Sequence, residues 1–373
     1  MAVTVADIAG LMNRLAPPDL AESWDNCGLQ AGSPGWPANR IRVALDPSYE
    51  VIVSACEAGA DLLVTHHPLL FSGLKRVDFT RMPGSALKMA VENRLSIFSA
   101  HTNLDSATGG LNDACAEKLG LQDIRVLDSP RLPEYRKLAV FVPGTHEDAV
   151  LGALEDSPAG NYGAYSSCSF SVNGKGRFKP SAEASPFIGS AGAMTVADEV
   201  RIETIVAAAD LEDVVSRIRA VHPYETMAYD VFPLAGSVGR AQGLGRIGAL
   251  EKPLTLDALA GLVRERFGVD HVRVAGASDL SVSRVAVCSG SGASLMDAFL
   301  ASSAEVFVSG ELKHHNGLAA RESGRGLIDV GHFETEYLVV DLLVGRLRAL
   351  AAGAGLDVDI QACQQEDNPF RRV

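Results

Sequence analysis

Short apolar runs alternate with helical stretches near the start of this chain, and this alternation constrains its fold more than any other feature. The runs that read as buried strands are residues 41–45, 62–65 and 95–100. Helical stretches are predicted at residues 5–15, 49–58, 85–93 and 111–119, the first of them capped by Thr4 and ended by Pro17 and Pro18. This order is typical of βα units in a largely parallel sheet that is covered on both faces.

The pattern changes near Ser129 and returns after residue 237. Between these points, strand-like residues 137–142 and 200–207 are each followed by a helical stretch, at 147–154 and 211–221. Two β-α-β halves in succession indicate a small ferredoxin-like α+β module. Strand-like runs resume at 285–288, 306–308 and 327–330. We therefore predict a discontinuous α/β domain made of residues 1–128 and 238–373, with an inserted domain at 129–237.

Charge and cysteine content exclude several classes of protein. The 373 residues include 33 Lys and Arg against 46 Asp and Glu, and the net charge of −13 makes nucleic acid an unsuitable partner. Six dispersed cysteines without a Cys-x-x-Cys pair are typical of reduced thiols in the cytoplasm. The first residues do not form a secretory signal, and charged residues interrupt the apolar stretch at 337–356. We expect a cytoplasmic protein with no membrane contact and an amphipathic helix in that stretch.

Three histidine-bearing segments each follow a strand-like run. They contain His66 and His67, His101 and Asp105, and His332 and Glu336. Residues beyond the carboxyl ends of strands converge on the ligand crevice of an open α/β sheet, so the three segments can meet in space. Imidazoles and carboxylates without thiolates suit Zn, Fe, Mn or Co, and a set of this size could hold two ions about 3.5–4 Å apart.

Each of these segments also has an ordinary structural explanation. A His-His-Pro tripeptide is more often a turn than a metal site. His332 and Glu336 are four residues apart and share one face of a helix, which is commonly a solvated face or a cap. Their common position after buried strands favours the metal site.

The ordered set of motifs resembles the Nif-three-like family, whose members are known as dinuclear-metal-centre hexameric proteins and GTP cyclohydrolase 1 type 2 homologues. The stretches that carry the resemblance are 24–29 (WDNCGL), 45–47 (LDP), 65–69 (THHPL), 101–105 (HTNLD), 310–311 (GE) and 331–336 (GHFETE). In the middle of the chain, 161–162 (NY), 187–189 (FIG) and 222–225 (HPYE) resemble the PII/CutA-like insert of the longer bacterial members. The resemblance covers essentially the whole chain.

The resemblance implies a set of metal ligands for two divalent ions, with Glu336 as the bridge between them. These ligands are His66, His67, Asp105, His332 and Glu336. His101 could be a further ligand, a partner that orients a ligand, or a proton donor, and we favour the orienting role. Asp46 is expected either to hydrogen-bond a ligand histidine or to cap the following helix.

The resemblance also implies a homohexamer and a metal-dependent hydrolase with a small-molecule substrate. The family label points to purine ring opening of GTP, and a nucleotide or phosphoester is the broader substrate class. The alternative is a non-enzymatic, oligomeric metal-binding scaffold or regulator whose inserted domain senses a small molecule.

Three further motifs have two interpretations each. Residues 289–294 (SGSGAS) link a strand to a helix and predict either a phosphate-binding helix N-terminus or a tight turn. We expect Lys313-His314-His315 to line a cavity or begin a helix rather than bind metal. The motif at 222–225 is interpreted as structural rather than ligand-binding, because a residue before proline usually ends a helix.

Overall fold

The structure is a computed structural model that describes residues 3–129, 134–162, 165–235, 241–363 and 366–371. The chain forms two compact units. The larger consists of Met1–Pro130 and Gln242–Val373, and the smaller of Arg131–Ala241. The sequence prediction places the domain borders at 128/129 and 237/238, and the second of these lies within residues 236–240, outside the described residues.

The strands within the described ranges are β1 (Gly28–Ala31), β2 (Arg40–Ala44), β3 (Leu62–Thr65), β4 (Ser96–Ser99), β5 (Gln122–Val126), β6 (Tyr135–Pro143), β7 (Ser169–Phe178), β8 (Thr195–Ala207), β9 (Tyr229–Pro233), β10 (Arg246–Thr255), β11 (Arg273–Ala275), β12 (Ser281–Cys288), β13 (Val306–Ser309), β14 (Gly326–Asp329) and β15 (Asp359–Ala362). The α-helices there are α1 (Val5–Leu15), α2 (Tyr49–Glu57), α3 (Gly84–Glu92), α4 (Thr102–Ser106), α5 (Leu111–Lys118), α6 (Glu147–Glu155), α7 (Leu211–Val221), α8 (Leu256–Phe267), α9 (Met296–Ala301), α10 (His314–Glu322), α11 (His332–Glu336) and α12 (Leu338–Gly353).

Two mixed sheets form the larger unit, and each takes a strand from both halves of the chain. The first has the order β1-β4-β3-β2-β15, parallel except for β1. The second has the order β11-β14-β13-β12-β10-β5, with β12, β13 and β14 parallel. The first half supplies β5 to the second sheet, and the second half supplies β15 to the first. The halves are therefore one folding unit, because neither sheet is complete without the other half.

Both sheets are covered on both faces, as the sequence pattern predicts. One continuous apolar core joins the two sheets through α1, α5, α8 and α12. Helices α2 and α3 cover the other face of the first sheet, and α9 and α10 cover that of the second. Strands β3, β4, β13 and β14 are consequently buried along their whole length, which is why they are recognisable as short apolar runs.

A buried ion pair fastens α5 to β10. Arg246 Nε lies 2.6 Å from Asp113 Oδ1, and the other guanidinium nitrogens donate to the carbonyls of Gly243, Gly245 and Ala107 at 2.7–2.9 Å. The Arg246 side chain is only 2% exposed, so each of its donors needs a partner inside the protein. The pair holds the segment after α4 against the second sheet.

Local sequence signals explain several of the observed boundaries. Helix α1 begins at Val5, where the Thr4 hydroxyl accepts from the Asp7 amide and the Asp7 carboxylate accepts from the Thr4 amide.

Helix α12 covers most of the predicted stretch at 337–356 and packs on α1 and α5. No helix in the described part of the chain is long and apolar enough to cross a membrane.

The smaller unit has the element order β6-α6-β7-β8-α7-β9 and one antiparallel sheet, β7-β8-β6-β9. Helices α6 and α7 pack on one face through a core that includes Val140, Ile202 and Val214. Alternate residues point to the opposite face. Strand β7 was not predicted, because its residues are almost all exposed and rich in Ser and Gly.

Candidate metal centre

The predicted ligand segments meet where the parallel strands of both sheets end. His66 and His67 follow β3, Asp105 lies in α4 after β4, and His332 and Glu336 begin and end α11 after β14. Side chains from these segments form two groups that could each hold a metal ion, with the ligand atoms of each group within 4.8 Å of one another, and Asp105 belongs to neither group. One group is His66, His67 and His101, and the other is His67, His332 and Glu336. His67 belongs to both.

His66 is fully buried, and its two ring nitrogens have different surroundings. Nδ1 lies 2.8 Å from the carbonyl oxygen of Ala100, which can only accept, so Nδ1 carries the proton. Nε2 then presents a lone pair that has no hydrogen-bond partner among the described residues. Burial lowers the pKa of His66 to about 3, so the ring is neutral. A buried, unpaired lone pair is costly unless a cation binds it.

The other three histidines repeat this arrangement with carboxylate partners. Their Nδ1 atoms lie 2.7 Å from Asp46 Oδ1 (His67), 2.9 Å from Asp25 Oδ1 (His101) and 3.1 Å from Glu311 Oε2 (His332). Each acceptor holds the proton on Nδ1 and leaves Nε2 free to bind. Metal-binding histidines in proteins almost always donate their second ring N–H in this way.

Glu336 is nearly fully buried, and its two carboxylate oxygens face different histidines. Oε2 lies 3.0 Å from Nε2 of His67 and 3.0 Å from Nε2 of His332, yet it has no partner with hydrogen-bond geometry in the described part of the chain. Oε1 lies 3.9 Å from Nε2 of His66. Lone pairs directed at a carboxylate repel it, so this approach is favourable only with a cation or a proton between the atoms.

Without a metal ion, protons lie between the histidine Nε2 atoms and the Glu336 carboxylate. Burial opposes the charged form of His67, but Asp46 and Glu336 raise its pKa to about 10. Glu336 likewise raises the pKa of His332, to about 9. Burial would raise the pKa of Glu336, but His332 and His67 hold it well below its usual range. A divalent cation would therefore compete with protons for the same nitrogen atoms.

Asp105 approaches the cluster from α4. Its Oδ1 lies 3.8 Å from His66 Nε2 and accepts a hydrogen bond from the Ser289 hydroxyl at 3.2 Å. Burial raises the pKa of Asp105 to about 7, with partial opposition from His101 and Ser289. A carboxylate in so buried a position needs a counter-charge to stay ionised at neutral pH.

The carboxylates that orient the histidines are themselves held by the fold. Asp46 bonds to His67 and does not cap α2, which is capped by Ser48, so the first of its two predicted roles is correct. Glu366 Oε1 accepts from the backbone amides of Leu45 and Asp46 at 2.7 and 2.8 Å. Asp25 accepts from the backbone amide of Thr102 as well as from His101.

The turn at 289–294 is structural and supports the cluster. The amides of Ser289, Gly290 and Gly292 donate to the side chains of Asn112, Thr335 and Ser309, at 2.9–3.0 Å, so these groups are not available to a phosphate. A Cβ atom on Gly290 would lie 1.9 Å from Oε1 of Glu336, and the φ of Gly290 is +54°. Glycine at position 290 therefore leaves the space that Glu336 occupies.

A cavity of about 750 Å³ opens beside His67 and His332. Its polar wall includes Asp270, His271 and Arg273, whose guanidinium pairs with Asp329. The C-terminal residues Asn368, Pro369 and Phe370 form part of its rim. Its volume falls within the range of small-molecule and nucleotide sites.

The other motifs lie outside this cluster. Lys313 precedes α10 and His314 begins it, and both residues line a separate cavity of about 220 Å³ beside Arg273. In the smaller unit, His222 is buried, with Nε2 3.0 Å from the Phe141 carbonyl and Nδ1 accepting from the Tyr224 amide. The structural role predicted for His222 is thus correct, and Tyr224 and Glu225 also line a cavity.

Sequence reasoning did not assign roles to Asp25, Glu311, Gly290 or Arg246. Asp25 and Glu311 lie inside two of the motifs that carry the family resemblance, and this was the signal available for them. The contact of Gly290 with Glu336 joins residues on different strand ends, and no local pattern indicates it.

Comparison with known proteins gives one consistent result. The family model described as Duf34/NIF3 (NGG1p interacting factor 3) matches residues 3–369. A protein of Halalkalibacterium halodurans named GTP cyclohydrolase 1 type 2 homolog is 38% identical over 360 residues, which are 96% of this chain and 96% of that protein. A Bacillus subtilis protein of the same name is 34% identical over 363 residues, 97% of each chain.

Solved structures agree with the sequence relatives. A Bacillus cereus protein described as related to NIF3 superposes with a TM-score of 0.83 at 35% identity, covering 100% of both chains. A Staphylococcus aureus protein superposes with a TM-score of 0.70 at 26% identity, covering 100% of this chain and 99% of the other. The mixed α/β fold with several sheets is thus shared along the whole chain.

Proposed function

This chain belongs to the Duf34/NIF3 family, and we propose that it binds two divalent metal ions and uses them to hydrolyse a small molecule. The observation that carries the proposal is the convergence of imidazole Nε2 atoms whose Nδ1 atoms are all held by acceptors. The buried Nε2 of His66 has no other partner in the described residues. This set of donors fits Zn, Fe, Mn or Co.

We propose His66, His67, Asp105, His332 and Glu336 as the ligands. Two ions are favoured over one because two ligand groups share only His67, and because the oxygens of Glu336 face different histidines. This arrangement supports Glu336 as the residue that would contact both ions. His101 joins the ligand set as a sixth donor, because Asp25 orients it as Asp46 orients His67. The sequence favoured an orienting role for His101, with a ligand role among its alternatives, and we propose the ligand role.

Two bound divalent cations would supply Lewis acidity and a nucleophilic water at neutral pH. The protein's own contribution is orientation and access. Asp46, Glu311 and Asp25 keep protons on the Nδ1 atoms, and Glu366 holds the backbone of Asp46 in place. The cavity beside His67 and His332 would admit the substrate.

The substrate class is a nucleotide or phosphoester. The relatives' name, GTP cyclohydrolase 1 type 2 homolog, makes GTP the first compound to test. The volume of the cavity supports a substrate of this size. Bound cations would also offset the repulsion between phosphate groups and a chain of net charge −13.

The test is turnover by protein loaded with Mn, Fe, Zn or Co, assayed for formate release from GTP and for hydrolysis of a panel of phosphoesters. We expect His66→Ala and Glu336→Ala to abolish the activity, whereas Glu322→Gln, an exposed change on α10, should leave it intact. Elemental analysis should find close to two ions per chain. If the protein holds two ions and every turnover is unchanged in both alanine variants, the chain is instead a non-enzymatic metal-binding scaffold or regulator.

We further propose that the chain forms a homohexamer and that the smaller unit is a ferredoxin-like module of the PII/CutA-like type. The β-α-β-β-α-β order and the sheet order of that unit support the second point. The exposed apolar side chains of Trp24 and Phe71, whose rings lie beside that of His101, support association. Light scattering that finds a monomer at micromolar concentration would refute the hexamer.

A further inference from the structure

The smaller unit contains a cavity of its own, of about 350 Å³, on the face of its sheet that α6 and α7 do not cover. Strand register places the cavity there. The core under the helices contains Val140, Val142 and Val200. Phe141 and Glu199 are adjacent to these residues along their strands and therefore point to the opposite face. Phe178 of β7 pairs with Thr195 and shares the face of Glu199. The segment between β7 and β8 covers this part of the sheet through Ala184, Pro186, Phe187 and Ile188, which line the cavity.

Aromatic rings form much of the wall. The ring of Tyr224 lies 6.0 Å from that of Phe178 and 6.3 Å from that of Phe187, with interplanar angles of 59° and 51°. Phe141 lines the same space. Tilted rings around a cavity present several π faces to one occupant, and π faces attract cations.

The cavity also holds a carboxylate that has a hydrogen bond but no salt bridge in the described residues. Glu199 Oε1 accepts a hydrogen bond from the Tyr224 hydroxyl at 2.9 Å. Within the described residues, neither oxygen of Glu199 forms a salt bridge, although Arg177 and Lys179 line the same cavity. A Cβ atom on Gly176 would lie 2.1 Å from Glu199 Oε2, so glycine at this position leaves room for the carboxylate against the sheet.

These features select among ligand classes. A purely apolar ligand would remove water from Glu199 without replacing its hydrogen bonds. An anion gains little in this cavity, because the carboxylates of Glu199 and Glu225 offset the charges of Arg177 and Lys179 in its lining. An organic cation satisfies both the carboxylate and the rings. We propose that this cavity is a binding site for a small organic cation, an ammonium or guanidinium compound, held by Glu199 and enclosed by Tyr224, Phe178 and Phe187.

The motif at 222–225 gains a role in this proposal. His222 bonds to the Phe141 carbonyl and to the Tyr224 amide, and so holds Tyr224 in the cavity wall. Glu225 accepts from the amide of Ser185, which ties the covering segment to the turn before β9. The site is thus built from residues of the smaller unit alone.

The test uses choline as the probe and its uncharged isostere 3,3-dimethyl-1-butanol as the comparison, with guanidinium and agmatine as further cations. Binding to the full-length protein would be measured by isothermal titration calorimetry. We expect saturable binding of at least one cation, and binding of the neutral isostere that is weaker by about tenfold or more. Absence of saturable binding by all three cations, or equal affinity for choline and the isostere, would overturn the proposal.

Variants locate the site. Glu199→Gln should weaken cation binding by about tenfold or more, because it removes the charge and keeps the shape. Phe187→Ala changes a half-exposed side chain in the covering segment and should also weaken binding without affecting folding. Glu212→Gln, an exposed change on α7, is the matched control and should bind as wild type does. Metal content should be equal in all four proteins, and unchanged affinity in both cavity variants would refute the site.

Discussion

His67 Nδ1 lies 2.7 Å from Asp46 Oδ1, and this contact joins the ends of two neighbouring parallel strands at the proposed metal site. The carboxylate selects the tautomer in which Nε2 can bind a metal, and it makes that nitrogen more basic. Glu366 in turn holds the amide of Asp46, so the orientation of the His67 ring depends on three separate segments of the chain.

Asp46→Asn should weaken metal binding by about 10- to 100-fold while leaving the fold intact. The amide can still contact Nδ1, but it has no charge to stabilise the bound imidazole. Competition titration with a chromophoric chelator would measure the change. Asp297→Asn, an exposed substitution on α9, serves as the control. Equal affinities in both variants would mean that Asp46 does not act through His67.

Glu336→Gln should lower the metal content from two ions per chain to one or fewer. The substitution removes the charge that faces His67 and His332 and the oxygen that faces His66. Inductively coupled plasma mass spectrometry on protein supplemented during purification would measure it. Two ions in the variant would show that Glu336 is not the bridge.

Gly290→Ala should disturb the metal centre as well as the turn. The new methyl would overlap Oε1 of Glu336, and a positive φ costs a non-glycine residue about 1 kcal/mol. We expect reduced metal content together with a lower melting temperature. Gly261→Ala on α8 has open space around it and should be neutral or stabilising by about 0.5–1 kcal/mol. Full metal occupancy in Gly290→Ala would contradict the steric argument.

The metal-free protein should lose stability as pH rises from about 6.5 to 10. The pKa values of His67 and His332 are raised in the fold, to about 10 and 9, from an ordinary value of 6.5. Their protonated forms therefore stabilise the fold below pH 6.5, and this stabilisation is lost as pH passes through the raised values. Calorimetric melting temperatures with a chelator should fall across this range, and added Zn or Mn should flatten the dependence. A flat profile in the metal-free protein would be inconsistent with these contacts.

Arg246→Met should destabilise the larger unit by about 3–5 kcal/mol, because it removes the buried guanidinium that pairs with the Asp113 carboxylate. Urea unfolding would measure the change. Lys88→Met removes one side of an exposed pair with Glu92 on α3 and should cost less than about 0.5 kcal/mol. If the two variants unfold at the same urea concentration, the buried pair does not stabilise the structure.

The sequence by itself determined the features that depend on neighbouring residues. The capping box of Thr4 and Asp7 begins α1 at the predicted residue, and the apolar run at 62–65 is a fully buried strand. Placement of histidines and carboxylates just after such strands predicted where a site would form. These signals are local, because caps, strand burial and helical spacing each involve only a few consecutive residues.

Only the tertiary structure decided how these residues meet. Asp25 orients His101 across 76 residues of chain, and Arg246 reaches Asp113 across 133. The exchange of β5 and β15 between the two halves makes one unit of them, and Gly290 is set against Glu336 by the packing of separate strand ends. Such contacts depend on strand order and on close packing of the core, which no short stretch of sequence specifies.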